Sequence, residues 1–145
     1  MKFTWIAAAA AVVAGSAAFA QDATGDAAAG EAVFSQCQTC HVVVNDAGET
    51  LAGRNARTGP NLYGVAGRVA GAVEDFRYSG SLTEAGEKGL VWDEASFVSY
   101  ALDPTGFLRE YLGDNRARGQ MAFRVRSEDD AKNLYAYLVS LAPAE

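Results

Sequence analysis

The run Cys37-Gln38-Thr39-Cys40-His41 constrains this chain more than any other feature, because it holds the only histidine and the only two cysteines. Two thiols three positions apart, followed at once by an imidazole, form the pattern for covalent haem attachment. Each thiol can add to one vinyl group of the porphyrin and make a thioether. The next residue then sets an imidazole against the iron from one face of the ring. The pair also has plainer readings. In an exported protein two cysteines can close a disulfide, although a redox-active one needs a βαβ setting that the neighbouring sequence lacks. A structural zinc site would need a fourth ligand, and no second histidine exists to supply it.

The exported setting is itself read from the N-terminus. Lys2 is a charged start, Trp5 to Val13 is an apolar stretch, and Ala18-Phe19-Ala20 is a small-residue cleavage site. The apolar stretch is short of the ~20 residues that a membrane span needs. Residues 1–20 are therefore expected to be a cleaved signal peptide, and residues 21–145 a single domain. The competing reading is an uncleaved anchor. No later stretch is apolar for long enough to span a bilayer. The product is expected in the periplasm, not membrane-spanning after processing.

The rest of the sequence is dominated by helical signals. Asp26 caps a helix running toward Gln38, with Ala29, Ala32, Val33 and Phe34 as its apolar stripe. Asp93 caps a second helix, Glu94 to Leu102, which must end near Asp103 because Pro104 follows. Pro104 then opens a third, with Gly113 as its stop. Ser127 caps the last helix, whose first turn is acidic and whose Ala131, Leu134, Tyr135, Leu138 and Leu141 share a face.

Between His41 and Asp93 glycines recur at 48, 53, 59, 64, 67, 71, 80, 86 and 89. That pattern predicts loops with short helical turns. So long an irregular stretch is unusual in a compact domain. It makes sense if the loops wrap a large apolar ligand rather than protein.

Apart from the initiator, Met121 is the only methionine. A thioether paired with imidazole favours ferrous iron, raises the reduction potential and closes the sixth coordination site. An isolated methionine is more often core filler, but a haem here needs a sixth ligand or leaves the site open.

Several further segments follow in order: Thr58-Gly59-Pro60-Asn61-Leu62-Tyr63-Gly64, Gly67-Arg68, Phe76-Arg77-Tyr78, Gly89-Leu90-Val91-Trp92, Asp103-Pro104 and Met121-Ala122-Phe123. With the Cys37–His41 motif they resemble the class I cytochromes c, most of all the cytochrome c2 group of purple photosynthetic bacteria and the similar cytochrome c550. The resemblance covers essentially all of the chain after residue 20. It implies a small all-α cytochrome c fold, with N- and C-terminal helices crossing and long loops wrapped around one covalent haem c. Carried over by position, Gly30 and Phe34 would meet Leu134 and Tyr137 at the crossing. Cys37 and Cys40 would bind the haem covalently, and His41 and Met121 would be the axial iron ligands. Pro60 would offer its carbonyl to the free imidazole N–H of His41. Arg68, Tyr78 and Trp92 would hold the haem propionates, and Tyr100 would direct its hydroxyl at the Met121 sulfur. The chain departs from many relatives just before the ligand methionine, where Gly119 and Gln120 replace a threonine or lysine.

The formal charge is −6, yet local sign matters more for docking. Arg116, Arg118, Arg124 and Arg126 flank Met121 against Asp114; Arg54, Arg57 and Lys88 are further candidates for a basic front. Acids gather elsewhere, at Asp22, Asp26 and Glu31, at Glu74 and Asp75, at Glu84 and Glu87, and at Glu128 to Asp130. An acidic, exported chain is not a nucleic-acid binder. The resemblance implies a monomeric carrier that takes one electron from a cytochrome bc1 complex and delivers it to a photosynthetic reaction centre, a cytochrome oxidase, or both. The competing readings are a five-coordinate haem enzyme and a gas-binding cytochrome, each of which needs an open sixth site.

Overall fold

The structure is a computed structural model, and it describes residues 23–142. The expected signal peptide lies outside the described residues. Five helices dominate: α1 Ala27–Cys37, α2 Gly80–Glu87, α3 Glu94–Leu102, α4 Pro104–Leu112 and α5 Glu128–Leu141. Each begins where a side chain can accept from a free backbone N–H. Asp26 accepts from Ala29, Ser79 from Leu82, Asp93 from Ser96, Asp103 from Gly106 and Ser127 from Asp130. Pro104 opens α4, and Gly113 closes it in the left-handed conformation at φ 64°.

The core is organised by the crossing of α1 and α5. Gly30 is buried, and a Cβ there would lie 2.8 Å from Tyr137 Cβ and overlap the Asn133 carbonyl. Only hydrogen at that position lets the two backbones touch. Phe34 packs on Tyr137 with ring centroids 5.7 Å apart. Leu134, from the same stripe of α5, turns toward a central cavity. Gly25 makes a second close approach, against the backbone of Lys132 and Asn133. Asp26 N–H adds a hydrogen bond to Asn133 Oδ1 at 2.7 Å. Helix α3 joins α5 through Phe97 on Tyr135, 5.3 Å between centroids.

The stretch between His41 and Asp93 holds more regular structure than its glycines predict. Strands β1 Val43–Val44 and β2 Thr50–Ala52 form a small antiparallel hairpin. Asn45 turns it by accepting from Ala47 and Glu49 N–H groups at 3.1 and 2.9 Å. Helix α2 is the other addition. Its glycines argue against a helix on propensity, but a Cβ at Gly86 would overlap the Ala70 carbonyl. Close packing therefore requires the residue that propensity disfavours. No helix among the described residues is long and apolar enough to cross a membrane.

Candidate functional site

The end of α1 delivers Cys37 into a cavity of about 720 Å³, within the usual size of a ligand site (~300–1,000 Å³). Cys40 and His41 line it from the turn that follows, where Cys40 and His41 N–H groups both donate to the Cys37 carbonyl, at 3.0 and 2.9 Å. The two thiols are free. Burial, and secondarily Cys40, pushes the Cys37 thiol up to about 11.

His41 is held from behind. Its Nδ1 lies 2.8 Å from the carbonyl oxygen of Pro60. A carbonyl only accepts, so Nδ1 carries the proton and the lone pair is on Nε2. That is the tautomer a metal needs. Burial lowers the His41 pKa, with the Pro60 bond opposing, so the neutral ligand form is favoured near neutral pH. Gly59 makes the arrangement possible, because a Cβ there would come within 2.6 Å of His41 Nδ1. Gly59 N–H donates to the Cys40 carbonyl at 2.7 Å, and Leu62 N–H to that of Val42 at 3.0 Å.

The loop wall is tied by two polar side chains. Asn61 accepts from Val44 N–H at 3.0 Å and Tyr63 N–H at 3.1 Å, and donates to the Val44 carbonyl at 2.8 Å. Arg68 donates from Nη1 to the Tyr63 carbonyl at 2.9 Å and from Nη2 to that of Asn61 at 3.1 Å. The guanidinium lines the cavity yet pairs with no carboxylate among the described residues. Burial lowers its pKa, with Tyr78 opposing. A half-buried cation in an apolar wall calls for an anion, and the carboxylates of a porphyrin would supply one.

The remaining expected residues, Pro60, Tyr78, Trp92, Tyr100 and Met121, line the same cavity. Tyr78 Oη accepts from Val73 N–H at 3.3 Å. Trp92 packs edge-on against Tyr100 at 5.0 Å. Burial, then the neighbouring Tyr78, pushes the Tyr100 phenol up to about 12, so it stays a protonated donor. Leu62, Val65, Phe76, Leu82, Phe97 and Leu134 complete a largely apolar lining that suits a flat hydrophobic ring. The tying role of Asn61 and the close approach of Gly59 have no signal of their own in the sequence, although both residues lie in the Thr58–Gly64 segment.

The basic front is less open than its sequence implies. Arg124 pairs with Asp103 at 2.8 Å and Arg116 with Asp114 at 3.2 Å. Arg54, Arg57, Arg118 and Arg126 are exposed and carry no ion pair among the described residues.

No protein-family model matches the chain. Similar proteins do. The cytochrome c2 of Rhodovulum adriaticum is 64% identical over 124 residues, covering 86% of this chain and 98% of that protein. The cytochrome c2 of Cereibacter sphaeroides is 54% identical over 143 residues, 98% of each chain. The chain belongs to the cytochrome c2 family. The crystal structure of cytochrome c2 from Rhodobacter sphaeroides superposes with a TM-score of 0.79 at 58% identity, over 80% of this chain and 95% of that one. As a cytochrome c2 it carries one covalently bound haem c and is an electron-transfer protein, not an enzyme.

Proposed function

We propose that Cys37 and Cys40 hold the haem through thioethers, that His41 Nε2 and the Met121 thioether are its axial ligands, and that the protein shuttles electrons in the periplasm. The observation that carries this reading is the meeting of His41 and Met121 on one cavity while His41 Nδ1 is spent on Pro60. When bound, the haem iron takes up and releases one electron. The protein's part is to keep the ligand set unchanged between the two states. The Pro60 carbonyl fixes the imidazole plane and raises its basicity. Met121 closes the sixth site against oxygen and peroxide, which disfavours the five-coordinate alternatives. Arg68, Tyr78 and Trp92 receive the propionates, and the Tyr100 phenol tunes the sulfur.

Electrons come from a cytochrome bc1 complex and go to a photosynthetic reaction centre, a cytochrome oxidase, or both. The exposed Arg54, Arg57, Arg118 and Arg126 supply the docking charge. The working form is a monomer spanning residues 21–145, released from its leader after Ala20. A pyridine haemochrome spectrum tests covalent attachment, and the sulfur-to-iron absorption band of the ferric protein tests Met121. Stopped-flow oxidation by reaction centres and by oxidase membranes, across salt, tests the partners. Rates independent of salt, or no transfer to either acceptor, would sink that part of the reading.

A further inference from the structure

The segment carrying Met121 is tied down on both sides of the methionine but not at it. Gln120 to Phe123 make no hydrogen bond to other described residues. On the N-terminal side the last fixed point is Gly119, whose N–H donates to Thr105 Oγ1 at 3.0 Å. On the C-terminal side Val125 N–H donates to the Ala101 carbonyl at 2.9 Å, and Arg124 pairs with Asp103. The Val125 bond is backbone to backbone and independent of side chains. The Arg124 pair is exposed and so worth little. Thr105 is different, because its bond is half-buried and lies two residues from the methionine.

Gly119 fits the same picture. A Cβ there would be 3.0 Å from Pro104 Cβ and 3.2 Å from the Pro104 carbonyl carbon. A larger residue would fit only if Pro104 at the start of α4 gave way by a few tenths of an ångström.

We propose that Thr105 is a positioning residue for Met121: its hydroxyl anchors Gly119 and so limits how often the methionine leaves the sixth site. This rests on the reading of Met121 as a ligand. Release of the segment exposes the site to an external ligand, so the apparent affinity of the ferric holoprotein for added imidazole reports the opening equilibrium. Thr105→Val keeps the shape and removes the hydroxyl. It should raise that affinity about fivefold, the net worth of one hydrogen bond. Thr105→Ser should behave as the parent. In a Met121→Ala background, which has no bond to release, Thr105→Val should change nothing.

Unchanged imidazole affinity in Thr105→Val overturns the proposal, as does an equal gain in both backgrounds. Amide exchange on the unsubstituted holoprotein gives a check that needs no variant: Gly119 must exchange more slowly than Gln120, and equal rates overturn the anchor. Failure of the underlying reading looks different. The sulfur-to-iron band would then be absent from the parent or would survive in Met121→Ala, and the proposal would fall with it.

Discussion

The helical part of the cavity wall and its looped part are built from different interactions. Helices α1, α3 and α5 meet through side-chain packing: Gly30 lets two backbones touch, Phe34 sits on Tyr137, and Phe97 sits on Tyr135. The loops from His41 to Ser79 add Val43, Val65 and Ala70 to the buried core. They are also held by hydrogen bonds such as Asn61 to Val44 and Arg68 to two carbonyls, and Leu62, Val65, Phe76 and Tyr78 turn toward the cavity. The helical part is therefore expected to hold more of its structure without haem than the looped part. A haem seated in the cavity would be the hydrophobic partner of Leu62, Val65, Phe76 and Tyr78.

The largest break in that comparison should come from removing the haem. Cys37→Ser with Cys40→Ser should abolish covalent attachment. Amides of residues 41–79 should then exchange like open chain, while protection persists longest in α1 and α5. Uniform loss across all elements would show that the helices depend on haem as much as the loops do. Phe34→Ala attacks the other side. Truncating a buried aromatic costs about 3–5 kcal/mol, and denaturant unfolding of the holoprotein should show it without loss of covalent haem. Asn61→Ala should cost about 1–3 kcal/mol, because it strands Val44 and Tyr63 backbone groups that it now satisfies. Its loosening, read by amide exchange, should stay within residues 42–63.

The smallest effect lies on the helical side and depends on pH. Asp93 has a folded pKa below its ordinary 3.8, chiefly because Ser96 N–H donates to it and then because the Ser96 hydroxyl does. The stability contributed by its charge is therefore complete above pH 3.8 and lost as pH falls through the lower folded value. Asp93→Asn keeps a capping oxygen without the charge. It should cost about 0.5 kcal/mol at neutral pH. The gap in thermal midpoint between the two proteins should close as acid is added, and a gap that widens would contradict the assignment.

Much of the helical part was legible in the sequence because its signals are local. A capping side chain, a proline after Asp103 and a stripe of apolar residues each act within a few positions, and α1, α3, α4 and α5 begin where those signals place them. Helix α2 escaped, although Ser79 was a usable cap, because Gly80 and Gly86 outweigh it on propensity alone. The hairpin escaped because its strands are too short to show alternation. Cys37, Cys40 and His41 are legible as a local motif and Met121 as the one internal methionine, whereas Pro60, Arg68, Tyr78, Trp92 and Tyr100 follow only from family resemblance. Residues 41, 68, 100 and 121 have no local pattern that joins them.

The sequence by itself determined the chemistry: one histidine, two cysteines at haem spacing and one internal methionine leave few ways to hold iron. Only the tertiary structure decided which atoms are free to act. It spends His41 Nδ1 on Pro60, pairs Arg124 with Asp103, and leaves Arg68 in a cavity wall that holds no carboxylate among the described residues. The physical reason is range. Thioether spacing and helix caps act over a few residues, whereas a proton's position or a charge's partner depends on groups brought together from distant parts of the chain.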